Sequence, residues 1–299
     1  MENIFRFAAK EAVWHELLNW MPDEPYVKFL YWAFMKKKLD LEDPKTYNEK
    51  LQWLKLYDRN PEYTKLVDKY EAKLYVASRI GEEYIIPSYG IWNSPEEIDF
   101  DKLPDRFVLK TTHDSGGIKI INKAEGFDRN AINAFFAKRL KQSTYKKQRE
   151  WPYKNVKPRI LAEQYMEDEK TGELRDYKFF CFNGEVKALF IATDRQSKDR
   201  PTAFDFFDTD YNWLDVRHGH PNAPRKPDKP ETFDKMLELA GILSEGLVHV
   251  RVDLYEINGK VYFGEMTFFH HGGIVPFDPE EWDLKFGQWL TLPAKPTKA

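Results

Sequence analysis

Residues 250–273, VRVDLYEINGKVYFGEMTFFHHGG, decide the fold, because they encode two β-rich arms around an Asn-Gly dipeptide. The arms carry Arg251, Asp253 and Glu265 at positions that should be half buried. Side chains alternate between the two faces of a strand, so the length of the loop determines which of these residues share a face.

Two registers are available to this hairpin. A two-residue turn pairs Ile257 with Lys260 and places Glu265 on the face opposite Asp253. A three-residue loop, with glycine at the left-handed bulge position, instead pairs Glu256 with Lys260. We adopt the three-residue loop, because it gathers the apolar side chains on one face.

This register has an apolar and a charged face. The apolar face carries Val250, Val252, Leu254, Tyr262 and Met266. The charged face carries Arg251, Asp253, Glu265 and Thr267, with Arg251 opposite Glu265. Two carboxylates roughly 7–8 Å apart along a diagonal indicate a site for Mg²⁺, which proteins usually hold with one or two carboxylates plus substrate phosphates. The alternative is an Arg–Glu pair on a solvated face.

Composition indicates a folded globular protein without a nucleic-acid partner. The 299 residues are 42% hydrophobic and 16% aromatic, the net charge is −3, and the pI is about 6.2. That charge provides no electrostatic footprint for nucleic acid, and the basic run at 36–38 is typical of a solvated helix face. Composition leaves the oligomeric state open.

The cysteine content and the N-terminus favour a cytoplasmic protein. The single cysteine, Cys181, excludes an internal disulfide framework, and its strand-like surroundings predict a buried structural thiol. Charged residues interrupt the first twenty positions, so neither a signal peptide nor a membrane span is expected there.

The order of the elements predicts an α+β fold. Apolar spacing predicts helices over most of residues 1–80, including one continuous helix over 62–81, and Thr46 with Glu49 forms a capping box. Strand patterns dominate from Tyr84 onward, with helices over 128–142 and within 232–246. We expect three parts: 1–104, a helical region and the start of the core; 105–168, a small lid; and 169–299, a C-terminal subdomain with the hairpin.

Residues 107–122, FVLKTTHDSGGIKIIN, form a second informative stretch. A strand ends at Lys110, and a loop with Ser115, Gly116 and Gly117 leads into the next strand. Glycines allow backbone amides to approach phosphate oxygens, although the stretch matches neither the Walker pattern nor the dinucleotide fingerprint. A hairpin with a flexible tip is the alternative.

The order of these pieces resembles the ATP-grasp superfamily, and more narrowly the TupA-like ATP-grasp family of polysaccharide and teichuronopeptide biosynthesis. The matching phrases are TYNEKLQWLKLYDRNPEYTKLVDKY, FVLKTTHDSGG, DYKFFCFNGEV and VRVDLYEINGKVYFGEMTF. The resemblance implies an ATP-grasp fold, in which two α+β lobes grip ATP, and an ATP- and Mg²⁺-dependent ligase.

The resemblance also implies roles for individual residues. Lys69, Lys110 and the loop of Ser115, Gly116 and Gly117 are expected to contact the phosphates of ATP. The expected adenine hinge consists of Glu163, Gln164, Tyr165 and Met166, and Asp176 is expected to bind the ribose. The expected metal ligands are Asp253, Glu265 and Thr267. Arg251, Lys110 and Lys178 are expected to act on the transferring phosphoryl group.

The chain departs from the broad ATP-grasp pattern in the metal site and the N-terminus. Thr267 stands where many ATP-grasp ligases have asparagine, and a helical region replaces their larger N-terminal domain. The candidate substrate contacts are His113, Asp114, His270 and His271. Three of these, His113, Asp114 and His270, are also candidates by position for the general base. Neither the pair His218 and His220 nor the pair His270 and His271 has the helical spacing of a zinc motif.

Three functions are compatible with these features. The first is a carboxylate–amine ligase that forms an amide through an acyl phosphate, from a uronic acid or another carboxylate and an amino acid or amine. The second is a metal-dependent glycosyltransferase, because Asp208-Thr209-Asp210 fits a DxD pattern. The third is a non-catalytic sugar-binding module, suggested by the many aromatic residues.

Overall fold

The computed structural model describes residues 4–195, 197 and 199–296. Residues 1–3, 196, 198 and 297–299, which belong to the predicted first and third parts, lie outside the described residues. The helices are α1 Ile4–Trp14, α2 Asp23–Met35, α3 Tyr47–Tyr57, α4 Tyr63–Val67, α5 Glu71–Ile80, α6 Arg129–Arg139, α7 Thr144–Gln148, α8 Phe233–Ser244 and α9 Glu281–Trp289. The strands are β1 Ser88–Trp92, β2 Arg106–Thr111, β3 Ile118–Asn122, β4 Ile160–Gln164, β5 Asp176–Phe182, β6 Glu185–Thr193, β7 Ala203–Phe207, β8 Trp213–Leu214, β9 Arg217–His218, β10 His249–Ile257, β11 Lys260–Thr267 and β12 Phe277–Asp278.

The strands form two main antiparallel sheets. The four-stranded sheet has the order β1-β4-β2-β3, and the six-stranded sheet has the order β11-β10-β5-β6-β7-β8. A small ladder joins β9 to β12. Helices precede and flank these sheets instead of alternating with parallel strands, which confirms the predicted α+β class.

The N-terminal helices agree with the sequence prediction except at one break. Thr46 and Glu49 form the expected capping box at the start of α3. The predicted continuous helix over 62–81 is wrong, because α4 ends at Val67 and α5 begins at Glu71. Between them, Asp68 Oδ1 accepts hydrogen bonds from the backbone N–H groups of Tyr70 at 2.8 Å and of Glu71 at 3.2 Å. Lys69 therefore lies in the link between α4 and α5, where its backbone N–H donates to the carbonyl of Thr112 at 3.1 Å.

Each sheet has its own hydrophobic core. Phe180 and Phe182 of β5 pack with Phe286 of α9 in the larger core, with ring centroids 5.2 Å and 6.0 Å apart. Phe107 and Phe136 anchor the smaller core between the four-stranded sheet and α6. Because the cores are separate, the two sheets leave a cleft between them.

Two predictions about buried and apolar segments can be compared with the fold. Cys181 is buried in β5 as predicted, and burial raises the pKa of its thiol to about 12. Among the described residues, each helix is too short or too polar to cross a lipid bilayer.

Candidate active site

The β10–β11 hairpin closes with a two-residue turn, so the predicted three-residue loop is wrong. Ile257 pairs with Lys260. Both turn residues have positive φ, 51° for Asn258 and 73° for Gly259. Asn-Gly favours this tight turn because its backbone twist matches the right-handed twist of the strands.

A β-bulge at Gly264 nevertheless brings the two carboxylates onto one face. Leu254 pairs with Phe263, but the next residue, Asp253, pairs with Glu265. The extra residue reverses the facing of every later side chain. A Cβ at Gly264 would lie 3.0 Å from the backbone oxygen of Asp253, so a larger residue at the bulge would be crowded.

The bulge changes individual partners while preserving the predicted charged face. Arg251 lies opposite Thr267, not opposite Glu265 as predicted. On the apolar face, Phe263 is buried in the core. Tyr262, which was predicted for that face, is only half-buried and lies on the other side.

Arg251 connects the predicted metal ligands. Its guanidinium donates to both carboxylate oxygens of Asp253, each at 2.7 Å. The same group donates to Glu265 Oε1 at 3.2 Å and to Thr267 Oγ1 at 3.0 Å. The predicted phosphoryl-binding arginine and the three predicted metal ligands therefore form one hydrogen-bonded group.

Lys178 and Asp176 extend this group onto β5. Lys178 pairs with Asp253 across the β5–β10 ladder, and its ammonium contacts the Asp253 carboxylate. The Lys178 Nζ also lies 3.4 Å from Asp176 Oδ1, while Arg195 contacts the other oxygen of Asp176. The predicted ribose ligand, Asp176, is thus buried between two cations.

The two facing carboxylates differ in access to ligands. The side chain of Glu265 is 38% exposed, whereas that of Asp253 is 0% exposed. Burial favours the protonated form of Glu265, but Lys178, Lys69 and Arg251 outweigh it and lower its pKa to about 2. The ionised Glu265, Asp253 and the Thr267 hydroxyl are oxygen donors that suit Mg²⁺.

The glycine loop is fixed at its base by charged side chains. The Lys69 ammonium donates to the backbone carbonyl of Asp114. Arg139 Nη2 lies 2.6 Å from Asp114 Oδ2 and also contacts the carbonyl of Ser115. A Cβ at Gly117 would lie 2.7 Å from Asp114 Oδ1, so only glycine fits there. Gly116 has a positive φ of 82°, which glycine adopts without strain.

Glu163 belongs to a buried ion cluster. Its Oε1 lies 2.6 Å from Lys73 Nζ, and its Oε2 contacts Lys110 Nζ. Burial would raise the pKa of Glu163, but the two lysines lower it to about 2. Sequence reasoning missed Lys73, although it lies in the helix that begins just after Lys69.

An apolar cleft opens between the two sheets next to this cluster. Its walls are Ile86, Val108, Lys110, Ile118, Ile120, Glu163, Gln164, Tyr165, Met166, Glu173, Leu174, Arg195 and Tyr255. The four residues of the predicted adenine hinge all lie on it. We call it the nucleotide cleft, because flat apolar walls beside a lysine suit a base and its phosphates.

A second, polar cavity adjoins the charged face. It is lined by Trp14, Lys69, Asp114, Ser115, Arg139, Gln142, Ser143, Thr144, Lys147, Gln148, Glu150, Tyr153, Arg251, Glu265, Thr267, Phe269, His271 and Gly272. The cavity brings the lysine of the α4–α5 link and the glycine loop to the charged face of the hairpin.

Glu150 is a cavity residue that sequence reasoning missed. Its carboxylate is buried, and burial raises its pKa well above the usual range, although Lys55 opposes the shift. Burial in turn lowers the pKa of Lys55, whose Nζ donates to the carbonyl of Gly272 at 2.7 Å. A perturbed carboxylate in a cavity is a candidate proton acceptor, but only its tertiary position reveals it.

The candidate substrate residues lie in different environments. His271 and Asp114 line the polar cavity, whereas His270 is buried beneath it and accepts a hydrogen bond from Arg251 Nη1 at its Nδ1, 2.6 Å away. Burial also lowers the pKa of His113, which lies outside the cavity lining.

The DxD pattern is part of a local turn. Asp208 Oδ1 accepts hydrogen bonds from the backbone of Asp210 at 3.0 Å and of Asn212 at 2.8 Å. Its other oxygen accepts from the Asn212 side chain at 3.0 Å. This carboxylate stabilises the turn after β7.

With this geometry established, the chain can be assigned to a class of protein. It is an ATP-grasp protein, with the ATP-grasp elements in two antiparallel lobes around a cleft. The family model described as TupA-like ATPgrasp matches residues 49–291, so the chain belongs to the TupA-like ATP-grasp family. This assignment confirms the resemblance seen in the sequence and argues against the glycosyltransferase interpretation.

Solved structures with a similar fold are ATP-grasp ligases of low sequence identity. The L-amino acid ligase from Bacillus licheniformis is 11% identical, with a TM-score of 0.48, and the match covers 85% of this chain and 57% of that chain. The D-alanine–D-alanine ligase from Helicobacter pylori is 14% identical, with a TM-score of 0.43, and the match covers 82% of this chain and 69% of that chain. The D-alanine–D-alanine ligase from Bacillus anthracis, in its ATP complex, is 14% identical, with a TM-score of 0.39. That match covers 68% of this chain and 53% of that chain, so the chain spans about half of that enzyme. No curated protein matches the chain.

Proposed function

We propose that this protein is an ATP-dependent carboxylate–amine ligase that forms an amide through an acyl phosphate. One observation carries the proposal. Lys69, Arg251 and Glu265 line the polar cavity, and Lys110 lines the separate nucleotide cleft. A chain of ion pairs through Asp253, Lys178 and Asp176 connects Arg251 in the cavity to Arg195 on the wall of the cleft. A ligase of this kind needs such a pair of spaces, one for ATP and one for the substrates that react with its γ-phosphate.

In the first step, a carboxylate oxygen of the substrate attacks the γ-phosphorus and ADP leaves. Lys69, Lys110 and Arg251 bind the phosphate oxygens and neutralise charge that develops during transfer. Asp253, Glu265 and Thr267 hold Mg²⁺, which contributes further neutralisation of the phosphates when bound. Phosphoryl transfer requires positioning more than covalent assistance. All of these residues except Lys69 lie on β-strands, and Lys69 is held by its hydrogen bonds to the loop that follows β2.

In the second step, the amine attacks the acyl carbon and phosphate leaves. The nitrogen loses a proton during this attack, so the site requires an acceptor. Glu150 is suited to that role, because it lines the same cavity as Arg251 and its raised pKa makes it a stronger base than an ordinary carboxylate.

We propose a saccharide carboxylate, such as a uronic acid of a surface polysaccharide, as the acceptor and an amino acid as the amine. Two features of the cavity support a polyhydroxylated anion. Its wall provides hydrogen-bonding groups from Gln142, Ser143 and Thr144, and positive charge from Lys147. A requirement for ATP supports a cytoplasmic location, which we include in the proposal. We also propose that the chain consists of the three predicted parts, residues 1–104, 105–168 and 169–299.

The direct test is ADP release from ATP in a matrix of carboxylates and amines, with uronic acids and simple carboxylic acids set against the common amino acids. The proposal expects ADP release that requires both partners and produces an amide detectable by mass spectrometry. ADP release that never rises with any pair, or product without an amide bond, would contradict it. Asp208→Asn is the matched control and should retain activity.

A further inference from the structure

Three histidines from two distant segments meet beside the polar cavity. His218 lies on β9, and His270 and His271 lie in the turn after β11. One ring nitrogen of each lies within 4.8 Å of those of the other two. No step proposed above uses this cluster.

The cluster contains buried nitrogens without partners. Among the described residues, His218 Nδ1, His270 Nε2 and His271 Nε2 are buried and have no hydrogen-bond partner. Native structures pair nearly all buried polar atoms. Three buried, unpaired nitrogens on rings that lie this close together therefore indicate a missing ligand.

The surroundings of His218 orient it as a ligand. Its Nε2 donates to the carbonyl of Val275 at 2.9 Å, which leaves the lone pair on Nδ1 available. Its ring stacks on Phe277, with centroids 3.8 Å apart and planes 12° apart. Histidines that bind metals typically donate their second ring N–H to a carbonyl in this way.

The backbone around His271 is held in an unusual conformation. His271 has φ 49° and ψ 26°, a left-handed conformation that few residues other than glycine adopt. Gly219, with φ 80°, packs against its ring, and a Cβ there would lie 2.9 Å from His271 Nε2. Backbone strain of this kind concentrates at functional sites.

We infer that His218, His270 and His271 bind one divalent transition metal ion of the zinc class, with a further coordination position open to the polar cavity. Three imidazoles and an open position form a common zinc arrangement. Metal–nitrogen distances of about 2.0–2.1 Å place the nitrogens about 3.3 Å apart, so each ring nitrogen has to move inward by less than about 1 Å.

Metal binding has a consequence for Arg251. A neutral imidazole has one lone pair in its plane, and His270 now uses that pair to accept a hydrogen bond from Arg251. Coordination through Nε2 moves the ring proton from Nε2 to Nδ1 and ends this bond. Arg251 keeps its bonds to Asp253, Glu265 and Thr267, so the zinc-class site and the proposed Mg²⁺ site share one neighbour but no ligand.

The test uses the full chain after treatment with a chelator and removal of that chelator. Zn²⁺ alone is titrated calorimetrically in buffer with excess Mg²⁺ and without nucleotide, and Co²⁺ is followed by its visible absorption. We expect one equivalent of Zn²⁺ and a Co²⁺ spectrum typical of imidazole ligands. Binding of no ion, or of Zn²⁺ without a stoichiometric end point, would overturn the inference.

Variants locate the ion. His271→Asn is the main variant, because asparagine tolerates the left-handed conformation, and His218→Ala is the second. Both should bind Zn²⁺ at least tenfold more weakly, whereas His220→Ala on the same turn should bind like the parent. Thermal melting shows whether each variant is folded. If one of the two variants is misfolded, the Zn²⁺ affinity of the other variant tests the assignment. Unchanged affinity in folded His271→Asn would contradict the assignment.

The inference and the proposed function fail separately. Zn²⁺ binding is measured without ATP or substrates, so a protein that releases ADP and forms amide but does not bind Zn²⁺ contradicts only the histidine site. A protein that binds Zn²⁺ through these histidines but never forms amide contradicts only the proposed reaction.

Discussion

Asp253 lies directly opposite Glu265 on the β10–β11 ladder, and the unpaired Gly264 makes this possible. Without the bulge, the two-residue turn would place these carboxylates on opposite faces of the sheet. The charged face that we assign to magnesium therefore depends on one glycine that carries no functional group.

Replacement of Gly264 by valine should disturb both stability and nucleotide binding. The new side chain would crowd the Asp253 carbonyl and the Tyr255 ring, each 3.0–3.2 Å from the added Cβ. We expect the free energy of unfolding to fall by about 1–3 kcal/mol, measured by urea denaturation, with a parallel loss of affinity for a non-hydrolysable ATP analogue.

Gly241→Ala is the control for the bulge variant. Gly241 lies in α8, and a Cβ there meets no atom within 4 Å. Alanine in a helix should leave binding unchanged and raise the free energy of unfolding by about 0.5–1 kcal/mol. Normal ATP-analogue binding by Gly264→Val would show that the site does not depend on the bulge.

Glu265→Gln should weaken magnesium-dependent nucleotide binding. The substitution keeps the shape of the side chain but removes the charge of the more exposed carboxylate. We expect a loss of about 10²–10³ in the rate of ADP release, and calorimetry should show that Mg²⁺ no longer strengthens binding of the ATP analogue. Asp208→Asn serves as the acidic control, and an equal loss in that variant would direct attention to the DxD turn.

Glu150→Gln should change the pH dependence of the ligase reaction. A general base must be deprotonated, so the rate of the parent enzyme should fall as the pH decreases through the raised pKa of Glu150. In Glu150→Gln this acidic limb should disappear, and the rate at the optimum should be lower by about 10²-fold. The measurement is the initial rate of amide formation between about pH 5 and about pH 9. An unchanged fall in rate at acidic pH in the variant would exclude Glu150 as the base.

Glu163→Gln should destabilise the protein at neutral pH. The change leaves the buried ammonium of Lys73 and the adjacent Lys110 without their counter-charge, a loss of about 3–5 kcal/mol for a broken buried pair. The folded-state pKa of Glu163, about 2, lies below its ordinary value of 4.5. Its contribution is therefore present above pH 4.5 and is lost as the pH falls toward 2.

Urea denaturation of both proteins tests the prediction, once at neutral pH and once at an acidic pH between the two pKa values of Glu163, 4.5 and about 2. The difference between parent and Glu163→Gln should be large at neutral pH and should shrink as the pH falls. Glu62→Gln is the matched control, because Glu62 forms an exposed pair with Lys65 and should change stability by less than about 0.5 kcal/mol. Equal effects of the two substitutions would contradict the role of the buried cluster.

Local patterns predicted much of the fold. The capping box at Thr46, the Asn-Gly hairpin and the glycine loop depend on neighbouring residues, so they were visible in the sequence. The predicted loop length of the hairpin was wrong, because a two-residue turn combined with a bulge at Gly264 places Asp253 and Glu265 on one face, as a three-residue loop would. Parity alone does not distinguish these solutions.

Other site features require the folded chain. Lys73 was overlooked beside Lys69, because only the break at Asp68 shows which lysine lies in the link and which lies buried against Glu163. Glu150 has an ordinary sequence context, and its raised pKa comes from burial by distant segments.

By itself, the sequence determined the α+β class, the family and most of the candidate nucleotide-binding residues, because periodicity, turn chemistry and the order of motifs are written in short segments. Only the tertiary structure decided which charges compensate one another and brought His218 to His270 and His271. Contacts between residues far apart in the chain depend on strand register and on the packing of two lobes, which local sequence does not specify.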